Sequence, residues 1–274
     1  MKRVAISLIT HLFLLTVAVV CLYPLLWIVL ASFKTQETIF SNIWSIPGQF
    51  HFENYINAWV EGGFGRNFLN TIFYTTMVVI GVVLVSSLAS YAFSRFKFRG
   101  RNILFTMFMA AMMIPIPGSF VALYVLLNKL HLRNTPIGYI LCMISVGLSM
   151  SIFLLKTFFD KMPKELEDAA RIDGCSKLGI WFHVVLPLSK PILAVVVVFN
   201  ALNVWNEYIL ALIIFDSKQF MPLQVALRTF QGEFITRYPL LMAGLTLTAL
   251  PIIVVYILMQ KHIVKSVTQG ALVG

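Results

Sequence analysis

Six apolar runs, each about twenty residues or longer, fill most of this 274-residue chain, at about 6–31, 70–93, 103–127, 137–158, 189–214 and 239–260. A helix rises about 1.5 Å per residue, so about 20 apolar residues cross a hydrocarbon core of about 30 Å. Within lipid every backbone N–H and C=O must find a partner inside the protein, and a helix supplies those partners segment by segment. The runs therefore predict an all-α membrane protein with six transmembrane helices in a single domain over 1–274. The chain is 12% charged, about half the share of a soluble domain at roughly 25%. Its +10 net charge is expected of a chain whose Lys and Arg flank membrane spans, so a nucleic-acid partner is not expected.

The first residues, MKRVAISLIT, begin like a signal peptide. The apolar run continues to about Ala31, too long for a signal h-region, and no A-x-A site follows. Cys21 invites a lipoprotein reading, but Val20 before it is not small. A retained first span is the expectation. Cys21, Cys142 and Cys175 have no metal-like spacing and imply no disulfide framework. The third run carries Pro115, Pro117 and Gly118, which must kink or break a helix there.

Placing the N-terminus inside puts 14 of the 21 Lys and Arg on the inner side, with the SRFKFRGRN cluster after the second run as the strongest vote. Both termini and the 160–187 segment are then cytoplasmic. Segments 32–69 and 215–238 become outer loops, too short for separate domains. No internal repeat or low-complexity tract is present.

Between the fourth and fifth runs the chain turns polar: KELEDAARIDGCSKLGIWFHVVLP, Lys164 to Pro187. It reads as two short helices. Pro163 can open the first, and Glu165, Glu167 and Asp168 sit in its early turns, where the helix dipole favours carboxylates. Gly174 suits a left-handed terminating residue. The second helix is expected from about Ser176 to Val185, with Leu186–Pro187 turning the chain back toward the membrane. An amphipathic helix lying on the bilayer is the blander reading, but four acids face only Lys164, Arg171 and Lys177. Carboxylates oppose an anionic leaflet and suit a basic groove on a protein.

The fifth run holds Asn200, Asn203, Asn206 and Glu207. Helical spacing puts Asn200, Asn203 and Glu207 near one stripe, with Asn206 beside it. A charge at membrane depth costs about 2.5–3.5 kcal/mol on insertion scales, so such residues face protein or water. Asn203, Trp205, Asn206 and Glu207 are candidates for a solute path, with Tyr208 as a second flat ring. Hydrogen bonding between helices is the alternative. An intramembrane enzyme fits poorly, because the five histidines are scattered and no H-E-x-x-H occurs. An uncoupled secondary transporter or channel would show repeated halves and intramembrane charges arranged for ions.

The polar segment resembles the EAA loop of ABC-importer permeases: E-A-A, three residues, Gly, nine residues, I-x-L-P. Asp168-Ala169-Ala170, Gly174 and Val184-Val185-Leu186-Pro187 match every interval, with Asp for Glu and Val for Ile. The resemblance covers essentially the whole chain and points to the maltose and multiple-sugar type, specifically the shorter six-span subunit. FGRNFLNT at 64–71, SYAFSRFKFRGRNILF at 90–105, MMIPIPG at 112–118, WNEYILALI at 205–213 and the tail QKHIVKSVTQGALVG at 260–274 carry it. Leu272 and Val273 depart from the family's tail.

The resemblance implies a type I importer fold in a bacterial or archaeal cytoplasmic membrane. A second permease would share the path, an extracytoplasmic binding protein would deliver sugar, and two ATPase subunits would dock on the cytoplasmic loops. Glu167, Asp168, Ala169, Ala170, Asp173, Gly174, Leu186 and Pro187 are the implied coupling residues. ATP and Mg would belong to the ATPase, since this chain has no G-x-x-x-x-G-K-[ST]. No cofactor, metal or catalytic residue is expected in the chain itself.

Overall fold

A computed structural model describes the backbone at residues 2–114, 116–232 and 235–271, and side chains over 6–114, 118–232 and 235–257. Among these every regular element is helical, apart from an isolated antiparallel bridge between Gln231 and Thr236. Among the described residues four helices are long and apolar enough to cross a membrane: Ile6–Ala31, Phe64–Arg95, Pro136–Lys161 and Tyr238–Ile257. A fifth is added if the bent pair Lys177–Leu188 and Lys190–Asn206 is taken as one. The chain divides into two compact units, Met1–Arg66 with Val225–Ile253, and Asn67–Gln224 with Val254–Gly274.

In the first unit lie α1 (Lys2–Ser32), α2 (Gln36–Ser41), α3 (Glu53–Glu61) and the first part of the last helix, Tyr238–Ala271. Ala31, Ile39 and Met242 form its core, flanked by Trp27, Ile28, Tyr238 and Leu245. Gln36 joins the pieces, donating to the Thr236 carbonyl and accepting from the Tyr238 N–H. Arg237 pairs with Glu61. The expected outer loop 32–69 is thus largely ordered. Its 42–44 stretch folds back along α1, where Trp27 donates to the Ile43 carbonyl at 3.1 Å and buried Lys34 donates to the carbonyls of Asn42 and Ile43.

In the second unit α4 (Phe64–Arg95, of which residues from Asn67 on belong here) packs with α7 (Pro136–Lys161) and the helix Lys190–Asn206. Glycines set the spacing. A Cβ on Gly147 would lie 2.1 Å from Asn200 Oδ1 and 2.9 Å from a Val82 methyl, and one on Gly81 would strike Ile144. Small residues let membrane helices approach until polar groups can bridge them. Ser90 Oγ donates to the Ile152 carbonyl, and Asn200 Nδ2 donates to Ser151 Oγ.

Two of the expected spans are not single helices. The run 103–127 is α5 (Arg101–Ala111), a 3-10 turn at Ile116–Ser119, and α6 (Phe120–Lys129). α5 packs on α7, and α6 on the short helix Ile209–Ile214. The break falls in the Pro- and Gly-rich stretch that predicts it; Pro115 itself lies outside the described residues. The run 189–214 is Lys190–Asn206 followed, after Glu207 and Tyr208, by Ile209–Ile214.

The polar segment forms α8 (Glu165–Ile172), α9 (Lys177–Ile180), a π turn at Trp181–Val185, and α10 (Leu186–Leu188). In chain order Lys190–Asn206 is α11, Ile209–Ile214 α12, Leu223–Ala226 α13 and Tyr238–Ala271 α14. Pro163 precedes α8 rather than opening it, since Lys164 is the N-cap. The chain does not turn at Leu186–Pro187, which remain helical. The turn comes at Ser189, where α11 departs at 81°. Pro191 explains the position: its ring would clash with the carbonyl four residues earlier, and it has no N–H to extend the preceding helix.

Candidate functional site

The coupling candidates separate by exposure. Glu167 is buried, and its Oε1 accepts from Arg95 Nε at 2.5 Å, with both side chains no more than 7% exposed. Tyr91 Oη donates to Glu167 Oε2 at 3.4 Å, and Arg95 Nη2 donates to the Met162 carbonyl at 3.0 Å. This clasp joins the first turn of α8 to the last residue of α4. Helix dipoles favour both ions, an anion at the start of α8 and a cation at the end of α4. Glu167, one of the implied coupling residues, faces its own chain.

Asp168, one residue on, points outward and pairs only with the exposed Arg171 at 2.9 Å. Ala169, Asp173 and Gly174 are exposed and Ala170 half-buried. Gly174 has φ +83°, with nothing within 4 Å of where a Cβ would stand. It ends α8 in the left-handed conformation its residue type predicts. Ser176 caps α9 by accepting from the Gly179 N–H. Ile172, Leu178 and Phe182 are strongly exposed, whereas Ile180, Trp181 and Val185 are buried. Leu186 is half-buried and Pro187 exposed; they shape the arm leading to the bend rather than its surface tip. The exposed face of the segment thus joins carboxylates, alanines and large apolar side chains. That mixture suits a protein groove, where apolar anchors are buried and a polar rim sets orientation.

The second cluster sits at the break in the fifth run. α11 ends at Asn206, Glu207 is extended at φ −71°, ψ 127°, and Glu207 Oε1 accepts from the Leu210 N–H. The carboxylate thereby satisfies an orphan N–H at the start of α12. Beside it lies a cavity of about 390 Å³ lined by Phe120, Met143, Val146, Asn206, Glu207 and Tyr208, among others. Irregular backbone at membrane depth is tolerated where it borders protein or a wet cavity.

The four asparagine and glutamate positions do not act as one stripe. Asn200 is buried between α7 and α11 and serves packing. Asn203 and Asn206 are exposed, and Asn206 Nδ2 also donates to the Leu202 carbonyl. Trp205 is half-buried, with its ring nearly perpendicular to that of Phe68 and the centroids 5.8 Å apart. Asn206 and Glu207 line the cavity; Asn203 and Trp205 are not among its lining residues.

Sequence reading missed two residues. Arg95 counts there only as one cation among the topology-setting cluster, although it is the cation nearest the end of the second run. Asn134, with φ +56°, accepts from the N–H groups of Asp216 and Ser217 and donates to Ser217 Oγ. It clips the chain after α12 to the start of α7. Its signal was available, since Asn tolerates positive φ and Thr135-Pro136 marks a helix start. Among the described residues no group of three His, Cys, Asp or Glu could hold a metal ion.

Comparison with known proteins fits this geometry. A permease in Bacillus subtilis named "Probable ABC transporter permease protein YurM" is 35% identical over 263 residues, 96% of this chain and 87% of that protein. The diacetylchitobiose uptake system permease protein NgcG of Streptomyces coelicolor is 31% identical, over 96% of this chain and 87% of that one. In fold, the chain resembles a chain of a bacterial ABC transporter involved in importing the acidic polysaccharide alginate, with TM-score 0.81, 24% identity, and coverage of 95% and 97%. The family described as binding-protein-dependent transport system inner membrane component matches residues 81–269. The chain belongs to that family of ABC-importer permeases, a multi-pass transport subunit rather than an enzyme.

Proposed function

We propose that this chain forms, with a second permease subunit, the membrane path of a sugar importer. Two ATPase subunits supply the energy, and an extracytoplasmic binding protein delivers the solute. All six apolar runs cross the membrane, both termini face the cytoplasm, and 164–188 is the cytoplasmic docking segment. Its contact face comprises Asp168, Ala169, Ala170, Asp173 and Gly174, flanked by Ile172 and Leu178. ATP and Mg are held by the ATPase alone. Asn206 and Glu207 border the solute path at the break between α11 and α12. Uptake of a small oligosaccharide is supported by the relative named for diacetylchitobiose uptake.

The observation that carries this reading is the pairing of a buried Glu167 with an outward Asp168 on one short helix. One carboxylate fixes the helix to its own chain, and the other, held only by the exposed Arg171 beside it, is presented on the outward face. A photo-reactive phenylalanine analogue at Ile172, 87% exposed, should join the ATPase on irradiation of the assembled transporter. Adducts with lipid alone, or none, would remove the docking role.

A further inference from the structure

The clasp beneath the docking helix has a mechanical reading that goes beyond docking. The Arg95 and Glu167 side chains are almost wholly removed from solvent and lie 2.5 Å apart, with Tyr91 and the Met162 carbonyl completing their hydrogen bonds. Separating such ions leaves an uncompensated buried charge, which is strongly unfavourable. Sliding α8 against α4 is therefore far costlier than moving both together. A second tie lies nearby, where Lys177 Nζ stands 4.9 Å over the Phe96 ring and links the start of α9 to the residue after Arg95. α4 is in turn joined to α7 by Ser90 to the Ile152 carbonyl and by Ser94 to Asp160 at 2.7 Å.

We infer that the Arg95–Glu167 pair is the joint through which displacement of the 164–188 segment is passed to α4, and thence to α7. Both are positioning residues: they touch neither solute nor nucleotide, and act by making α8 and α4 one body. The inference rests on the docking role proposed above. It assigns motion to α4 rather than to the bend at Ser189 alone. Hydrogen-bond completeness supports it. The Arg95 bond to the Met162 carbonyl satisfies a further buried guanidinium N–H and also ties the end of α7 into the same knot.

The test uses the assembled transporter in lipid nanodiscs, with nitroxide labels at Ile80 on α4 and Ile172 on α8, both exposed. Their separation is measured by pulsed electron resonance without nucleotide and after trapping with ATP, Mg and vanadate. In the parent protein the distance should hold within about 1 Å on trapping, while in Glu167→Gln it should shift by about 2 Å or more, the scale of helix displacements in switching proteins. The exchanged pair Arg95→Glu with Glu167→Arg should restore the constant distance. A shift in the parent, or a constant distance in Glu167→Gln, overturns the joint. Should Glu167→Gln fail to insert, Arg95→Lys keeps both charges but not the guanidinium fork, and a constant distance there overturns it equally. Asp168→Lys separates the two ideas: it should lose the ATPase from the complex while the label distance without nucleotide stays at the parent value, and retention of the ATPase would sink docking, and with it the joint, whereas a constant distance in Glu167→Gln sinks the joint alone.

Discussion

The segment 164–188 and the break at 206–209 both interrupt apolar helices, and both are built around a carboxylate, yet they use it in opposite ways. Glu167 is bound by a side chain 72 residues earlier in the sequence. Glu207 is bound by the N–H of Leu210, three residues on. A carboxylate satisfied by a distant cation makes two helices behave as one. A carboxylate satisfied by its own backbone makes a local cap and leaves the flanking helices free to differ in direction. Acid in a membrane chain thus carries no fixed meaning, and its nearest donor decides the role.

Three substitutions would sharpen or break that contrast. The largest effect belongs to Asp168→Lys, which puts a cation where a basic partner surface is expected. Membrane insertion should persist while association with the ATPase weakens by about 2–5 kcal/mol, the range for a disrupted interfacial charge contact. Co-purification of the ATPase at parental yield would contradict the assignment. Next is Gly174→Val, because a β-branched residue resists φ +83° at a cost of about 1–2 kcal/mol. Transport-linked ATP hydrolysis should fall severalfold, with Gly174→Asn retaining more activity because Asn tolerates positive φ. Equal loss in both variants would show that the backbone twist is not what matters there.

The smallest effect is at the membrane break. Glu207→Gln keeps an acceptor for the Leu210 N–H, whereas Glu207→Ala removes it at about 0.5–2 kcal/mol, as for other lost caps. Thermal unfolding of the detergent-solubilised transporter should therefore drop for Ala and hardly for Gln. If solute flux falls alike in both, the charge serves the path; if only Ala is impaired, the residue is a cap and the path lies elsewhere.

Most of the architecture was legible because apolar run length is a strong signal. The places where it misled are instructive. Run 189–214 has span composition throughout, but the Asn206-Glu207-Tyr208 stretch breaks the helix inside it, whereas the break in 103–127 is the one its Pro and Gly residues announce. Composition averages over a window and does not see a cap. The turn into α11 comes at Ser189, two residues beyond Pro187 where it is expected, because Pro191 governs the geometry. A π turn at Trp181–Val185 comes just before Pro187, which stays within a helix, and no periodicity announces such a turn. In the 164–188 segment, spacing shows where the acids cluster but not which faces inward. That depends on Arg95, a long-range partner that local pattern cannot name. Likewise the asparagines of the fifth run share a helical stripe on paper, while the close approach at Gly147 claims Asn200 for packing.

The 81° departure of α11 at Ser189 makes α9, α10 and α11 a crank. Force applied across the short arm emerges as sideways swing of the long one, and force along the short arm is largely lost. The throw depends on which way the short arm's exposed side chains point. One residue inserted between Lys177 and Ile180 would rotate that face by about 100° about its axis, leaving the elbow itself intact. Such a chain would keep the bend at Ser189 while turning the arm's exposed side chains away from their present direction.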